Sequence, residues 1–439
     1  MFYPNTVSTK FHLLKASAIM AIASATVPMA ALAQDAATAN PAALIAELQE
    51  KLRLQDERLA RLERMLKDAT NVPAKLATSD RDTSRVVVAE ATVADTRPAA
   101  PTGNLNISGD MRLRYEHNSS DGDERDDARG VVRGRIAATY AASPTLELGA
   151  RLVTGDPDDP NSADVSLSNF NDDLQVSLDQ IYGIKTFGKL TVLGGKFANP
   201  FRRTDLVWDG DVNPQGLAAR YAALANGSTR IGGSALFFPI ERSTAAQDST
   251  ASGFQLTLDQ KASEAWEFGF AAGYYDYEIE AVGTADSGDT RTNLLDGSGA
   301  YLSDFDLLNI MTEASFSGFG DRWPLEIKAE YVRNLGADDY DTGYSVSASL
   351  GQASAPGTYS FGYGYHVAEA DSVFAAFAQD NIPYASNYLQ HAYSFSYALS
   401  EHLQMNTSLY AYRLKDEILL PFATDDWQQR LRVNLVANF

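Results

Sequence analysis

The last thirteen residues, Trp427–Phe439, restrict the fold more than any other stretch of the chain. From Leu431 to Phe439 apolar side chains occupy every second position, and the positions between them are polar or cationic apart from Val436. Because successive residues of a strand point to opposite faces of a sheet, the segment predicts a β-strand with one apolar and one polar face. Such a strand fits between lipid and a watery lumen, and it also fits the edge of a soluble β-sandwich. The apolar positions are Leu431, Val433, Leu435, Ala437 and Phe439, and the polar ones are Gln428, Arg430, Arg432, Asn434 and Asn438.

The same alternation recurs from Leu105 to the C-terminus and predicts about 16 strands. Short turns such as 187–189 alternate along the chain with long polar loops such as 276–303. This rhythm is typical of a transmembrane barrel with both chain ends in the periplasm, whereas a sandwich gives no reason for it. We therefore predict an all-β fold, a transmembrane antiparallel β-barrel over residues 105–439. One of the predicted strands is Ser372–Ala378, and none is predicted between Arg333 and Tyr359.

Three segments precede the predicted barrel. Residues 1–33 combine two lysines with an Ala-rich apolar run and a small-residue cleavage site, which predicts a secretory signal peptide. Residues 34–68 predict a short coiled-coil helix, with an amphipathic helix packed on its own domain as the alternative. Residues 69–104 show no periodicity and predict a linker. The coiled-coil seam consists of Ile45, Leu48, Leu52, Gln55, Leu59, Leu62 and Leu66.

Composition excludes several classes of function. The chain has no cysteine, and its five histidines show no metal-ligand spacing, so neither a metal site nor a cofactor is predicted. A net charge of −21 argues against nucleic acid as a partner. The acidic stretch 156–164 could bind calcium, but it lacks the glycine and the terminal glutamate of an EF-hand loop. We interpret this stretch as a solvated loop.

Strand parity places seven arginines on the inner face of the predicted barrel. Closure brings the last strand beside the first, so these residues should form one continuous cationic wall. A barrel of about 16 strands is too wide to be filled by its own side chains, which favours a pore-lining role. The alternative is that the arginines pair with carboxylates inside a filled barrel. The seven are Arg112, Arg114, Arg133, Arg135, Arg151, Arg430 and Arg432.

Four stretches resemble the putative porin family of Gram-negative outer membranes. They are Ser108–Tyr115, Gly149–Gly155, Gly194–Phe201 and Thr204–Asp211. The resemblance implies a diffusion channel for small hydrophilic solutes and ions, a homotrimer in outer-membrane lipid, and no enzymatic activity. It also implies a periplasmic coiled coil facing another protein or the cell wall. The terminal Phe439 resembles the assembly signal of outer-membrane barrels.

The loop after the fifth predicted strand, 199–216, differs from the other long loops because it is compact, with Pro200 and Pro214 as stiff corners. In general porins the loop at this position folds into the barrel and narrows it. The resemblance therefore implies a constriction in which loop acids face the arginine wall, and the alternative is an ordinary surface loop. The charged residues of this predicted constriction are Arg202, Arg203, Asp205, Asp209 and Asp211.

Two other functions remain open at the level of the sequence. A structural tether or adhesin would use the coiled coil to hold the cell wall and the outer loops to hold a partner. An outer-membrane barrel lipase would need a serine and a histidine on the lipid-facing side, and His391 does share the apolar parity of Tyr393 and Phe395. No nucleophile motif places a serine beside it. We prefer the channel to both alternatives.

Overall fold

A computed structural model gives the fold of the chain. It describes residues 104–120, 126–157, 162–168, 173–243, 247–280, 290–416 and 426–439. The predicted signal peptide and coiled coil lie outside the described residues. Within the described ranges, no helix is long and apolar enough to cross a bilayer.

The described residues form one antiparallel sheet that closes on itself, because β1 pairs with both β2 and β17. The short β4 pairs with β2 alongside the longer β3, so the barrel wall has 16 long strands. The predicted antiparallel barrel of about 16 strands is confirmed. The strands are β1 Leu105–Ser120, β2 Asp127–Ser143, β3 Leu146–Thr154, β4 Val165–Ser166, β5 Val176–Phe187, β6 Leu190–Lys196, β7 Gln215–Ala225, β8 Thr229–Glu241, β9 Ser249–Lys261, β10 Trp266–Glu278, β11 Phe305–Phe316, β12 Leu325–Asn334, β13 Thr342–Gly351, β14 Tyr359–Ala368, β15 Tyr388–Ala398, β16 Leu403–Leu414 and β17 Gln428–Asn438.

The predicted number of strands is right because two errors cancel. The strand predicted at Ser372–Ala378 is wrong, since these residues lie in the connection between β14 and β15. The strand β13, Thr342–Gly351, was not predicted. Its alternation is nevertheless present in the sequence, with Tyr344, Val346 and Leu350 pointing outward and Ser345 and Ser347 buried on the inner face. Ser372–Ala378 is an apolar run without alternation, because its side chains are buried on all sides.

The two ends of the barrel differ in their connections. At one end the strands are joined by short turns such as 144–145 and 188–189, and the described chain begins and ends there. At the other end, called the outer end below, the connections include 197–214, 279–304 and 369–387. This arrangement matches the alternation of short turns and long loops predicted from the sequence.

The two faces of the wall differ in polarity. Met111 and Leu113 of β1 point outward, with 50% and 45% of their surface exposed. Almost all of the remaining long strands also expose at least one large apolar side chain. The inward-pointing neighbours of these residues are charged or polar, as with Arg112 and Arg114. A barrel that is apolar outside and polar inside has the polarity of a strand wall between lipid and a lumen.

Candidate functional site

Residues 197–214, called loop A, leave the wall after β6 and fold into the barrel. Phe201, Leu206 and Trp208 are almost fully buried there. The Thr204 hydroxyl accepts a hydrogen bond from Leu206 N, and Asp209 Oδ1 accepts one from Asp211 N. These side chain-to-backbone bonds fix turns within the loop. Loop A is therefore a packed element of the interior rather than a surface loop.

Glycines at the base of loop A allow it to leave the wall. Gly195 of β6 pairs with Gly216 of β7, and Gly195 has a φ of 117°, which side chains disfavour. A Cβ atom on Gly195 would lie 2.2 Å from the carbonyl oxygen of Ile181. A Cβ atom on Gly216 would lie equally close to the carbonyl oxygen of Phe237. The wall therefore has no space for larger residues where loop A starts and ends.

Residues 369–387, called loop B, also fold inward, and the sequence did not predict this. Trp208 of loop A stacks on Phe377 of loop B, with ring centroids 5.7 Å apart and an interplanar angle of 12°. Backbone bonds join the same two loops, from Asp209 N to Phe377 O and from Gln379 N to Asp205 O. The apolar run inside loop B was the available signal, but alternation alone cannot distinguish a short buried loop from a strand.

An outer connection clamps loop B in place. The Asn293 side chain donates to the carbonyl oxygens of Ala370 and Val373 and accepts from Ala375 N. The carboxylate of Asp371 accepts from Leu294 N and from the Ser303 hydroxyl. Because these bonds are buried, breaking one would leave polar groups unsatisfied. Loop B is therefore held by both loop A and the 290–304 segment.

The structure places all seven predicted arginines on the inner face, on β1, β2, β3 and β17. None of them has more than 9% of its surface exposed. Arg112 and Arg133 are directly opposite each other on β1 and β2, a like-charge arrangement that is destabilising without compensation. The carboxylate of Asp110, which accepts from Arg133 and Arg135, and that of Asp164, which accepts from Arg112 and Arg114, supply this compensation.

Each of the other three predicted arginines also has a carboxylate partner. Arg151 of β3 pairs with Asp179 of β5. Arg432 and Arg430 of β17 share Glu116 of β1, at 2.7 Å and 3.8 Å. The arginine wall is therefore a network of buried ion pairs. A buried ion pair loses hydration but gains attraction in a medium of low dielectric constant. Its net contribution to stability therefore depends on keeping both partners in place.

The acidic residues of loop A have three different environments. Asp211 faces the arginine wall, 3.4 Å from Arg135 and 4.0 Å from Arg133. Burial alone would raise the pKa of Asp211, but attraction to these arginines outweighs it and lowers the pKa. Burial and repulsion from Asp205 raise the pKa of Asp209 well above its usual value, which favours the neutral form. Asp205 itself accepts a hydrogen bond from the side chain of Asn381.

The two predicted cations of loop A do not join the arginine wall. Arg202 turns to the opposite side, where it pairs with Asp259 of β9 and contacts Glu313 of β11. The guanidinium of Arg203 donates to the carbonyl oxygen of Gly210 within its own loop. Loop A therefore presents Asp211, and not an arginine, to the wall.

Asn381 of loop B connects both loops to the wall. Its side-chain nitrogen Nδ2 donates to Asp205, and its side-chain oxygen Oδ1 accepts from Arg432 at 2.9 Å. Its backbone carbonyl oxygen accepts from Arg430 at 3.0 Å. This places its neighbour Asp380 between the loops and β17. Sequence reasoning did not select either residue, because nothing local indicates that loop B turns inward.

The terminal residue completes the seam between β17 and β1. Phe439 N donates to the carbonyl oxygen of Gly109 at 3.0 Å, and Gly109 N donates to the carbonyl oxygen of Phe439 at 3.2 Å. The Phe439 ring lies over Gly109, where an added Cβ would be 2.5 Å from the ring. The last residue therefore takes part in closing the barrel.

We expect deletion of Phe439 to lower the yield of folded barrel. Two backbone hydrogen bonds would be lost, at roughly 0.5–1.5 kcal/mol each, together with the contact to Gly109. The measurement is heat-modifiable mobility after refolding. Phe439→Tyr keeps the bonds and the ring and should fold like the parent, as should Glu264→Ala in an exposed short turn. Parent-like folding of the deletion variant would contradict the role assigned to this residue.

The metal and lipase alternatives involve carboxylate and histidine side chains, several of which are among the described residues. Within them, no group of three or more His, Asp or Glu side chains has the arrangement of a metal site. Asp164, part of the acidic stretch 156–164, contacts arginines instead. His391 Nδ1 lies 2.9 Å from the Tyr363 hydroxyl, and its ring contacts Tyr365 and Trp427.

Comparison with known proteins agrees with this geometry. Residues 122–296 match the model of the putative porin family. The resemblance predicted from the sequence is confirmed over this stretch. The stretch contains β2 to β10, loop A, three of the seven wall arginines and all five charged residues of the predicted constriction. No curated protein matches the sequence.

Solved porins and related barrels have similar structures. OprB of Pseudomonas putida, in its high-pH structure, is 12% identical over 76% of this chain and 94% of that chain, with a TM-score of 0.52. A triple mutant of Rhodopseudomonas blastica porin is 11% identical over 76% and 100% of the two chains, with a TM-score of 0.43. A loop-deletion mutant of OmpT from Vibrio cholerae is 10% identical over 77% and 100%, with a TM-score of 0.47. At this identity the similarity to OprB shows the fold alone, and the chain is a porin-like β-barrel.

Proposed function

We propose that the protein is an outer-membrane porin, a passive diffusion channel for small hydrophilic solutes and ions with a charged constriction. The observation that carries the proposal is the pair of inward loops facing a charged wall inside a barrel with an apolar exterior. A tether or adhesin would not need two loops packed inside the barrel. Porins of this architecture work without catalysis, so we propose no enzymatic activity.

The apolar exterior supports a location in the outer membrane. Exposed Leu, Ile, Phe, Tyr and Met side chains surround the barrel, and leaving this surface in water would be costly. Lipid removes that cost, and the polar loops then extend beyond the membrane at the outer end. We also propose a homotrimer, as implied by the family resemblance. Crosslinking of the protein in native membranes tests this assembly.

Planar-bilayer recording tests the channel function. The refolded full-length protein should produce large, ohmic, step-like currents in symmetrical KCl, because diffusion through a fixed lumen needs no binding step. Addition of buffer and detergent alone is the control. A folded, membrane-inserted protein that gives no such currents would refute the channel and leave the tether or adhesin as the remaining function.

If loop A forms the constriction, substitutions of two of its aspartates should differ in their effect on the reversal potential. Asp211→Asn should shift the reversal potential towards anions, because the charges of Arg133 and Arg135 would lose an opposing charge. Asp209→Asn should leave it unchanged, because the raised pKa of Asp209 already favours an uncharged carboxyl. The shift should be largest in dilute salt, since the Debye length is about 30 Å at 0.01 M and about 3 Å at 1 M.

The two variants form a matched pair, because both lie in loop A and both exchange a carboxylate for an isosteric amide. Reversal potentials are measured in a KCl gradient at neutral pH. Equal shifts in the two variants would mean that Asp209 is charged. A parent-like reversal potential for Asp211→Asn in dilute salt would show that loop A does not form the constriction.

A further inference from the structure

The arginine wall exposes little unopposed positive charge. Each of its seven guanidinium groups lies within 4.0 Å of at least one carboxylate, supplied by Asp110, Glu116, Asp164, Asp179 or Asp211. The guanidinium side chains are turned into the protein, with exposed fractions from 3% to 11%. An anion in the lumen would therefore find few guanidinium N–H groups that it could contact directly.

Two loop carboxylates, Asp211 of loop A and Asp380 of loop B, are more accessible than the arginines. The Asp211 side chain is 27% exposed although it is part of the ion-pair network. Asp380 of loop B is partly exposed, and within the described part of the chain it has neither an ion pair nor a hydrogen bond. It lies close enough to Arg114, Arg432 and Asp209 to interact with them electrostatically, which places it between the loops and the wall.

The backbone on both sides of Asp380 is fixed. Gln379 N donates to Asp205 O, and Gln379 O accepts from Arg291 of the outer connection. On the other side, Asn381 is bound to Asp205, Arg430 and Arg432. The backbone at Asp380 is therefore fixed, although no described residue forms a hydrogen bond with its carboxylate oxygen atoms. A fixed charge at a narrow point is what discriminates between ions.

The sum of the charges does not decide whether the lumen prefers cations or anions. Five carboxylates serve seven guanidinium groups in the wall, and Asp205 and Asp380 of the two loops bring the carboxylates to seven. The more exposed of these groups contribute most to the field in the lumen. Asp211, with 27% of its side chain exposed, and the partly exposed Asp380 are more accessible than the wall arginines.

We propose that the lumen prefers cations, including organic solutes that carry an ammonium group, and that Asp380 is the residue that sets this preference. The inference rests on the proposed channel function. Asp380 differs from Asp211 because, within the described residues, no guanidinium forms an ion pair with it, although Arg114 and Arg432 lie near enough to attract it. Asp211, by contrast, shares its charge with Arg135 and Arg133.

The test is the ratio of K⁺ to Cl⁻ permeability, obtained from the reversal potential of the refolded full-length protein in a KCl gradient. The parent should prefer K⁺. Asp380→Asn should lower the ratio by about half or more, because one accessible negative charge is removed from a narrow lumen. Asp380→Glu should keep the parent ratio. Asp339→Asn, which removes an exposed charge from the loop between β12 and β13, is the matched control and should also keep it.

The outcomes separate this inference from the function on which it rests. Step-like currents with a preference for Cl⁻ in the parent would overturn the inference and leave the channel function intact. An unchanged ratio in Asp380→Asn would do the same. Absence of currents from the folded parent would overturn both. If Asp380→Asn failed to fold, shown by loss of heat-modifiable mobility, the selectivity of the parent and of Asp380→Glu would still decide.

Discussion

Trp208→Ala should release loop A from loop B and raise the single-channel conductance. Trp208 is 2% exposed and packs against Phe377, Tyr275 and Tyr277, each with its ring centroid 5.7 Å away. Removing a buried aromatic side chain of this kind costs about 3–5 kcal/mol. The backbone bonds between the loops are few, so they do not compensate for such a loss.

The barrel itself should survive Trp208→Ala, because its closure depends on hydrogen bonds between strands and not on the loops. We therefore expect parent-like heat-modifiable mobility together with larger and noisier currents in planar bilayers. Trp266→Ala is the control, since Trp266 lies beside a short turn and stacks on Phe268 outside this cluster. A parent-like conductance for Trp208→Ala would show that the aromatic contact does not hold loop A in the lumen.

Met111→Arg should strongly destabilise the barrel in a bilayer. Met111 points outward near the middle of the apolar part of β1, which extends from Leu105 to Tyr115. An arginine on the lipid face costs about 2–4 kcal/mol at the midplane and about 0–1 kcal/mol near the interfaces. The free energy of unfolding from lipid vesicles, measured by denaturant titration, should fall by the larger amount.

Leu105→Arg is the matched control for Met111→Arg. Leu105 has the same strand and the same outward orientation, but it lies at the end of β1 where the membrane interface is expected. Its variant should lose little stability, because the guanidinium can reach the headgroups. Equal losses in the two variants would place the hydrocarbon band elsewhere on the wall.

Strand existence and strand parity could be predicted from the sequence. Leu113 and Arg114 differ in orientation because consecutive strand residues must point to opposite faces, and this rule needs no tertiary information. The rule worked for β1 and β17, where apolar residues alternate with polar or charged ones over most of each strand. The strand β13 was missed although its outward Tyr344 and Val346 alternate with inward serines. Loop B was wrongly predicted as a strand because its apolar run is buried without belonging to one.

The partners of the charged residues could not be predicted from the sequence. Arg432 and Glu116 are 316 residues apart, and Arg114 and Asn434 are 320 apart, so these contacts exist only because the barrel closes. The sequence indicated a row of arginines, but it could not show that each one meets a carboxylate. Pairing weakens the attraction of the arginines for anions, since a paired and buried guanidinium attracts an anion less than an unpaired, accessible guanidinium does.

The sequence by itself determined a barrel of about 16 strands, its apolar and charged faces, and the compact character of loop A, because all three depend on local spacing and residue type. The tertiary structure decided that loop B also enters the lumen, that Asp211 meets Arg135 and Arg133, and that Asp380 forms no ion pair within the described residues. These features depend on contacts between residues far apart in the chain. Such contacts follow from how the closed barrel packs its loops, which no local pattern specifies.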